Sequence, residues 1–441
     1  MSIQNTNYEI STGQDLNQIF APLVGIAGPD TGLEYYDIST STYKDLSQLF
    51  LPYASGTIPA TNFFSNTGED LKSIFQAISQ AIWSYVNFNN QNTRHSIYNG
   101  PPASLNPLAK KWQYTAPVGT NFNQNSLVIG PTGIIYLAEN SGFIYALIDN
   151  GSSASSLFSI NTGYTGLLPP TIGLNNIMYI TLTNVVKAIK DINTALPVDL
   201  WSLTITASNP SSPIIGSDGT LYISTSNGYI YAVSSNGSFK WSYNSGNSVS
   251  SLAIGSNGTI YASASTILYA INSNGTLKWS YNAGVLLGTP SIGSNGTIYA
   301  INSSTIYAIT DSETSGTPKW NLNVGTALTR TVSIGNNGIL YLVTNTTVIS
   351  VTDGGNVGSI NWTCNNLPPA SQSLTAVSIG LNGTIYTTGD YGLVVSITDN
   401  GVNNYTINWA FQNATSASSP CSIGSNGTIY FGGGYNAVVA I

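Results

Sequence analysis

Charge is what this chain of 441 residues has least of. Asp, Glu, Lys and Arg make up 7% of it, against about 25% in an ordinary soluble domain, so the surface must be built from Ser, Thr, Asn, Gly and Tyr. The net charge is −7 and the 11 basic residues do not cluster. A nucleic acid gripped through its phosphates therefore has no electrostatic footprint to bind. Histidine occurs once, as His95, and cysteine twice, as Cys364 and Cys421. Zinc sites and Ser-His-Asp or Cys-His nucleophiles need ligands and bases that such a supply does not provide. His95 sits in a polar stretch and is expected on an exposed loop; the two thiols are expected to be inert core rather than a bridge.

No apolar run approaches eighteen residues, which predicts no membrane-spanning helix. Residues Met1 to Asn7 have neither a basic end nor an apolar core, unlike a secretory signal.

What the chain does have is a repeat. A strand ending in Ile-Gly, a turn and an apolar-Tyr pair that opens the next strand recur eight times, the turn bearing Gly and the pair being Ile/Leu-Tyr in every copy but the one at Gly173. The marker glycines are Gly130, Gly173, Gly216, Gly255, Gly293, Gly335, Gly380 and Gly424, with gaps of 43, 43, 39, 38, 42, 45 and 44. A period near forty with several short strands per unit predicts propeller blades, here eight. Within the fourth copy, Ser251 to Gly255, Ile260 to Ser263, Leu268 to Asn272 and Leu277 to Tyr281 alternate apolar and polar residues. They read as four antiparallel strands joined by Asn-Gly turns that supply positive φ.

Trp279 of that fourth strand recurs as Trp201, Trp241, Trp320, Trp362 and Trp409, with Phe158 in its place in the first unit. The last unit reaches Ile441 before any such strand, whereas Lys110-Lys111-Trp112-Gln113-Tyr114 carries the pattern upstream of the first marker. Trp112 and Tyr114 are therefore expected to complete the final blade and seal the ring, removing two edges open to aggregation. The expected architecture is all-β: an eight-bladed propeller over 110–441, a linker over 88–109, and a small helical or irregular segment over 1–87.

That N-terminal quarter holds most of the charge imbalance. Residues 1–109 carry eight acidic and three basic side chains, net −5, and residues 110–441 carry ten and eight, net −2. Three Asp-Leu-x-x-Ile/Leu-Phe motifs place Leu16, Ile19 and Phe20, then Leu46, Leu49 and Phe50, then Leu71, Ile74 and Phe75 on one side of a helical turn. Pro22 and Pro52 stop the first two turns, which are too short to stand alone. The third continues through Ile78, Ile82 and Val86 at helical period. Such turns either cap the propeller or dock onto another chain or a second copy.

The repeat resembles that of the pyrroloquinoline-quinone-dependent alcohol dehydrogenases and their non-enzymatic relatives, on the strength of Tyr269-Ala270-Ile271-Asn272, Asn274-Gly275 and Lys278-Trp279, echoed at Tyr231 to Trp241 and Tyr307 to Trp320. The resemblance implies the fold. In the enzymes it also implies a quinone, a calcium ion, a catalytic Asp, an Arg and commonly an adjacent Cys pair. Here Cys364 and Cys421 are far apart, Arg330 is the only arginine after residue 110, and no position matches the catalytic Asp or the calcium ligands. The ten acids of the ring, Glu139, Asp149, Asp191, Asp199, Asp218, Asp311, Glu313, Asp353, Asp390 and Asp399, mostly adjoin Gly, Asn or Ser and read as turn residues.

No catalytic, cofactor or metal residue is therefore assigned. The expected role is a non-catalytic structural or interaction module anchored by its N-terminal arm. The short N-terminal motifs also look like those in proteins of giant amoebal DNA viruses, which suggests a virion or surface component and a cytoplasmic or virion-associated location. A quinone-dependent dehydrogenase with a diverged site and a carbohydrate-binding propeller, using Tyr faces for a glycan, are the alternatives. Asn-Gly-Thr sequences such as Asn257, Asn274, Asn295, Asn382 and Asn426 are explained as hairpin turns rather than glycan acceptors.

Overall fold

The computed structural model describes the backbone of a short hairpin at 34–37 and 42–45, then residue 89 and residues 91–441 apart from 105–108, 117–121, 174–175, 191, 329–330, 336, 369–372, 414–418 and 433–436. The chain divides into two compact units, Met1–Ser79 and Gln80–Ile441. In the first, Glu34–Asp37 pairs antiparallel with Thr42–Asp45 in the register Glu34↔Asp45. Asp45, which opens the second N-terminal motif, thus ends a strand. The nine apolar residues of the three motifs lie outside the described residues, as do Asp191 and Arg330.

The second unit is a ring of eight four-stranded antiparallel sheets. Blades 1 to 7 each use four consecutive strands. Blade 4 is Val249–Ile254, Ile260–Ala264, Ile267–Ile271 and Leu277–Asn282, within one or two residues of the spans expected from alternation. Blade 8 is Ser422–Ile423, Ile429–Gly432 and Ala437–Ala440, with Trp112–Thr115 as its fourth strand. Trp112 stands opposite Ala440 and Tyr114 opposite Val438. The ring is thus sealed by the upstream strand.

The first strand of each blade faces the axis, and the core lies between blades. The central residues of second and third strands are buried on both faces, as in Ile135–Glu139 and Ala437–Ala440. Buried Val, Ile, Leu and Ala from neighbouring sheets interdigitate in a series of clusters around the ring.

Four interfaces also carry a polar clamp near the rim. The indole of a fourth-strand Trp packs on a second-strand Tyr of its own blade, with ring centroids 5.8 Å apart for Trp112 and Tyr430 and 5.9 Å apart for Trp279 and Tyr261. Both polar tips then reach one carboxylate at the turn between the third and fourth strands of the next blade. Asp311 accepts from Trp279 Nε1 at 2.7 Å and Tyr261 OH at 2.7 Å; Asp353 accepts from Trp320 Nε1 at 2.8 Å and Tyr299 OH at 2.6 Å. Asp399 takes Trp362 and Tyr341 in the same way. At the seam, Asp149 of blade 1 takes Trp112 Nε1 at 2.7 Å and Tyr430 OH at 2.6 Å from blade 8. The acids read as turn residues therefore include four that hold neighbouring blades together.

Two interfaces use backbone in place of the carboxylate. Trp201 and Trp241 donate to the carbonyls of Ser235 and Ser273, in tight turns where Gly237 and Gly275 have φ of +87° and +89°. A Cβ at either glycine would lie 2.6 or 2.7 Å from the indole, so both the backbone conformation and the close approach require glycine. Phe158 has no N–H to satisfy, and its blade-mate Tyr136 donates to the Ile192 carbonyl.

Trp112 is 4% exposed and bridges the two ends of the ring. Trp112→Ala should lower the unfolding free energy by about 3 kcal/mol or more, the usual cost of emptying a large aromatic site, and raise self-association through opened edges. Denaturant titration and size-exclusion chromatography measure both; an unchanged midpoint would show that the seam is held elsewhere.

Candidate functional site

The axis is the one place where all eight blades meet. Around it runs a girdle of hydrogen bonds in which a hydroxyl two residues before a marker glycine donates to the carbonyl three residues before the next marker. Thr171 donates to Pro213 O at 2.5 Å, Ser291 to Val332 O at 2.8 Å, Ser333 to Val377 O at 2.8 Å, Ser378 to Cys421 O at 2.6 Å and Ser422 to Leu127 O at 3.3 Å. Blades 1, 3 and 4 carry Val128, Ile214 and Ala253 at the hydroxyl position. For blades 3 and 4 this leaves the carbonyls of Leu252 and Pro290 without that donor. The amide of Asn92 supplies both, at 3.0 Å to Leu252 O and 2.9 Å to Pro290 O.

Asn92 belongs to the stretch read from sequence as a linker. Residues 91–101 instead pack into the ring. The carbonyls of Gln91, Thr93 and Arg94 accept from the N–H groups of Ile292, Ile334 and Ile379, the equivalent inner-strand positions of blades 5, 6 and 7. Ser96 N–H returns a bond to Ile379 O at 2.7 Å, and Tyr386 OH donates to Pro101 O at 3.1 Å. That last bond lies at the interface of blades 7 and 8. Because the third and fourth strands of blade 8 come from distant parts of the chain, no turn joins them to offer a carboxylate, and Trp409 Nε1 has no hydrogen-bond partner among the described residues.

His95 corrects the expectation of an exposed loop: it is 8% exposed, lies against the inner strand of blade 7 through a bridge to Ile379, and its Nε2 has no partner among the described residues. Burial drives its pKa down to about 4, opposed by a hydrogen bond to the backbone of Gly380. Glu139 also departs from its reading as a turn residue. It ends a strand, is fully buried, and accepts from Ser141 Oγ at 2.6 Å. Cys364 and Cys421 are free and buried, and burial pushes the Cys421 thiol up to about 11.

Beside Asn92 the axis opens into a cavity of about 640 Å³, within the usual range of ligand sites. Thr171, Ile214 and Ser251 of the inner strands, Thr181 and Ser224 behind them and the connections at 165–169, 209–213 and Thr289 line it. No charged and no aromatic side chain is among its described lining residues, and no group of three His, Cys, Asp or Glu suited to a metal exists among the described residues. A tricarboxylate quinone needs cations and a calcium ion needs clustered oxygen ligands, preferably charged. This lining does not fit either group.

Comparison with known proteins places the repeat. Residues 189–400 match the family model described as outer membrane protein assembly factor BamB. No curated protein sequence matches the chain. Among solved structures, BamB from Moraxella catarrhalis superimposes with a TM-score of 0.55 at 16% identity, covering 74% of this chain and 97% of that one. A europium-containing methanol dehydrogenase does so with a TM-score of 0.59 at 12% identity, covering 82% and 90%. At these identities the structures establish a shared fold and no more.

Two outcomes follow from the axis. Asn92→Leu keeps the branched shape but strands two buried carbonyls and should cost about 2–4 kcal/mol of stability, read by denaturant titration; a change below about 0.5 kcal/mol would mean that the girdle does not need this amide. The second concerns acid. The folded His95 binds its proton only near pH 4 whereas the unfolded one binds it near 6.5, so stability should fall as pH drops through that window, by on the order of 3 kcal/mol. For Asp149, Asp311 and Asp353, burial alone would raise the pKa, but the donors from Tyr430, Lys278 and Lys319 with their neighbours outweigh it and hold all three below the ordinary range. Their contribution is present above the ordinary carboxylate pKa and is lost below it, as pH falls through the depressed values. Unfolding midpoints measured from pH 7 to 3 for the native chain and His95→Gln should separate the two phases, with only the upper one absent in the variant.

Proposed function

We propose, on the premise that this ring is a pyrroloquinoline-quinone-type propeller, that the protein is a non-catalytic interaction scaffold. The observation that carries the reading is the axis itself: its own residues 91–101 pack along one side, and no described residue lining the cavity beside them carries a charge to hold a cofactor or metal. A closed ring stiffened by interblade clamps presents fixed surfaces, and the apolar motifs at Leu16, Leu46 and Leu71 supply contacts to a protein partner or a second copy. Membership of a virion or another large surface assembly is the extension of this role that the N-terminal motifs suggest.

Two measurements on purified protein test it. Supplied with calcium and pyrroloquinoline quinone, the full chain should show neither calcium-dependent quinone binding nor dye-linked alcohol oxidation; either one would establish the dehydrogenase reading instead. Removing residues 1–88 should leave a folded ring, by circular dichroism, that no longer self-associates or enters its native complex. Unaltered assembly of the truncated form would remove the N-terminal unit from the role.

A further inference from the structure

Residues 98–101 lie against the marker turns of blades 7 and 8 and show what the groove between two such turns can hold. Leu381 N–H donates to Tyr98 O at 3.0 Å, and Asn382 N–H donates to Asn99 Oδ1 at 2.8 Å. Tyr386 OH reaches Pro101 O at 3.1 Å. Gly100 crosses the Tyr386 ring so closely that a Cβ would lie 2.6 Å from it. On the side of blade 8, a Cβ at Gly427 would meet Asn99 O at 3.2 Å, so the segment spans the space between the two turns.

Equivalent grooves are open between blades 5 and 6, with a cavity of about 280 Å³, and between blades 8 and 1, with one of about 190 Å³. Ser294, Asn295 and Tyr299 line the first; Ser425, Asn426 and Tyr430 line the second. Their turns match that of blade 7 bond for bond. Gly296 N–H reaches Gly293 O at 2.9 Å and Gly427 N–H reaches Gly424 O at 3.0 Å, as Gly383 N–H reaches Gly380 O at 2.9 Å. In all three, the Asn side chain accepts the N–H two residues on. The same turn aims the N–H groups of its two central residues the same way. Those of Ser294, Asn295, Ser425 and Asn426 make no hydrogen bond among the described residues, and all four residues are exposed. Tyr299 and Tyr430, unlike Tyr386, already give their O–H to Asp353 and Asp149. Each open groove therefore offers a pair of backbone donors beside a Tyr ring.

We propose that these two grooves each receive an Asn-Gly segment of a partner polypeptide in the conformation of Asn99-Gly100, the Asn side chain and the carbonyl before it accepting from the paired N–H groups. The proposal rests on the interaction-scaffold reading and names the partner's contact. Gly is required where the segment crosses the ring, because a side chain has no room there. Each groove already holds a carboxylate, Asp353 or Asp149, so a neutral Asn suits it better than a second acid. A second copy of this chain is a poor source. Its exposed turns, such as Asn257-Gly258 and Asn274-Gly275, hold their glycines at positive φ and have the Asn oxygen committed within the turn.

Blade 1 supplies the variant for the test. Pro131 stands at the first central position of its turn, and Gly133 N–H still reaches Gly130 O at 2.9 Å. Proline at that position removes one donor and keeps the turn. The full chain is titrated by isothermal calorimetry with the acetylated, amidated peptide Ile-Tyr-Asn-Gly-Pro-Pro. Saturable binding is expected, lost when Ala replaces the peptide's Gly and weakened when Asp replaces its Asn. The double variant Ser294→Pro with Ser425→Pro should bind about fivefold or more weakly, the worth of one hydrogen bond, and thermal unfolding checks that it is folded. No saturable binding, binding indifferent to the Gly→Ala peptide, or binding unchanged in the folded double variant would overturn the proposal. So would self-association that the two prolines abolish in the absence of peptide binding, which would assign the grooves to copies of this chain. A failure here leaves the scaffold reading intact, whereas quinone turnover in the earlier test removes that reading whatever the peptide does.

Discussion

Eight sheets can close into a ring only if the interfaces between them are satisfied, and here the rim depends on where a buried indole N–H and a phenol O–H find an acceptor. An unpaired buried donor costs about 1–3 kcal/mol, so a Trp and a Tyr at nearly every seam would be a liability without a partner. Asp149, Asp311, Asp353 and Asp399 each accept both groups from the preceding blade. In a chain with so little charge, these carboxylates are committed to cohesion. For Asp149, Asp311 and Asp353 burial is the largest single influence, and the donors gathered around each carboxylate outweigh it.

The axis solves the same problem with neutral groups. Hydroxyls of Thr171, Ser291, Ser333, Ser378 and Ser422 join successive inner strands, and Asn92 replaces two that blades 3 and 4 lack. The segment that brings Asn92 also covers the inner edges of blades 5 to 7. One short stretch from far upstream thereby ties together the consecutive blades 4 to 7 along one side of the axis.

Much of this was legible in the residues. The marker glycines counted the blades, alternation around Ile260 and Leu268 located their strands, and Trp112 upstream of the first marker identified the strand that seals the last blade. These features are local: a turn needs Asn-Gly, a strand needs alternation, and a repeat displays both many times. The linker reading of 88–109 missed the packing of residues 91–101, and the exposed reading of His95 failed, because polar composition reports what a segment resembles when solvated. It does not report carbonyls waiting at the axis for an Asn amide.

Sequence by itself determined the number of blades, their strand order and the way the ring closes, because each blade repeats the same short-range instructions. Tertiary structure alone decided that Asn92 spans two blades, that Asp149 and its counterparts clamp their neighbours, and that a neutral cavity opens beside Asn92. Those outcomes depend on groups far apart along the chain, such as Tyr430 and Asp149 at a separation of 281 positions. Partners that distant are set by the curvature of the closed ring, which no local pattern encodes.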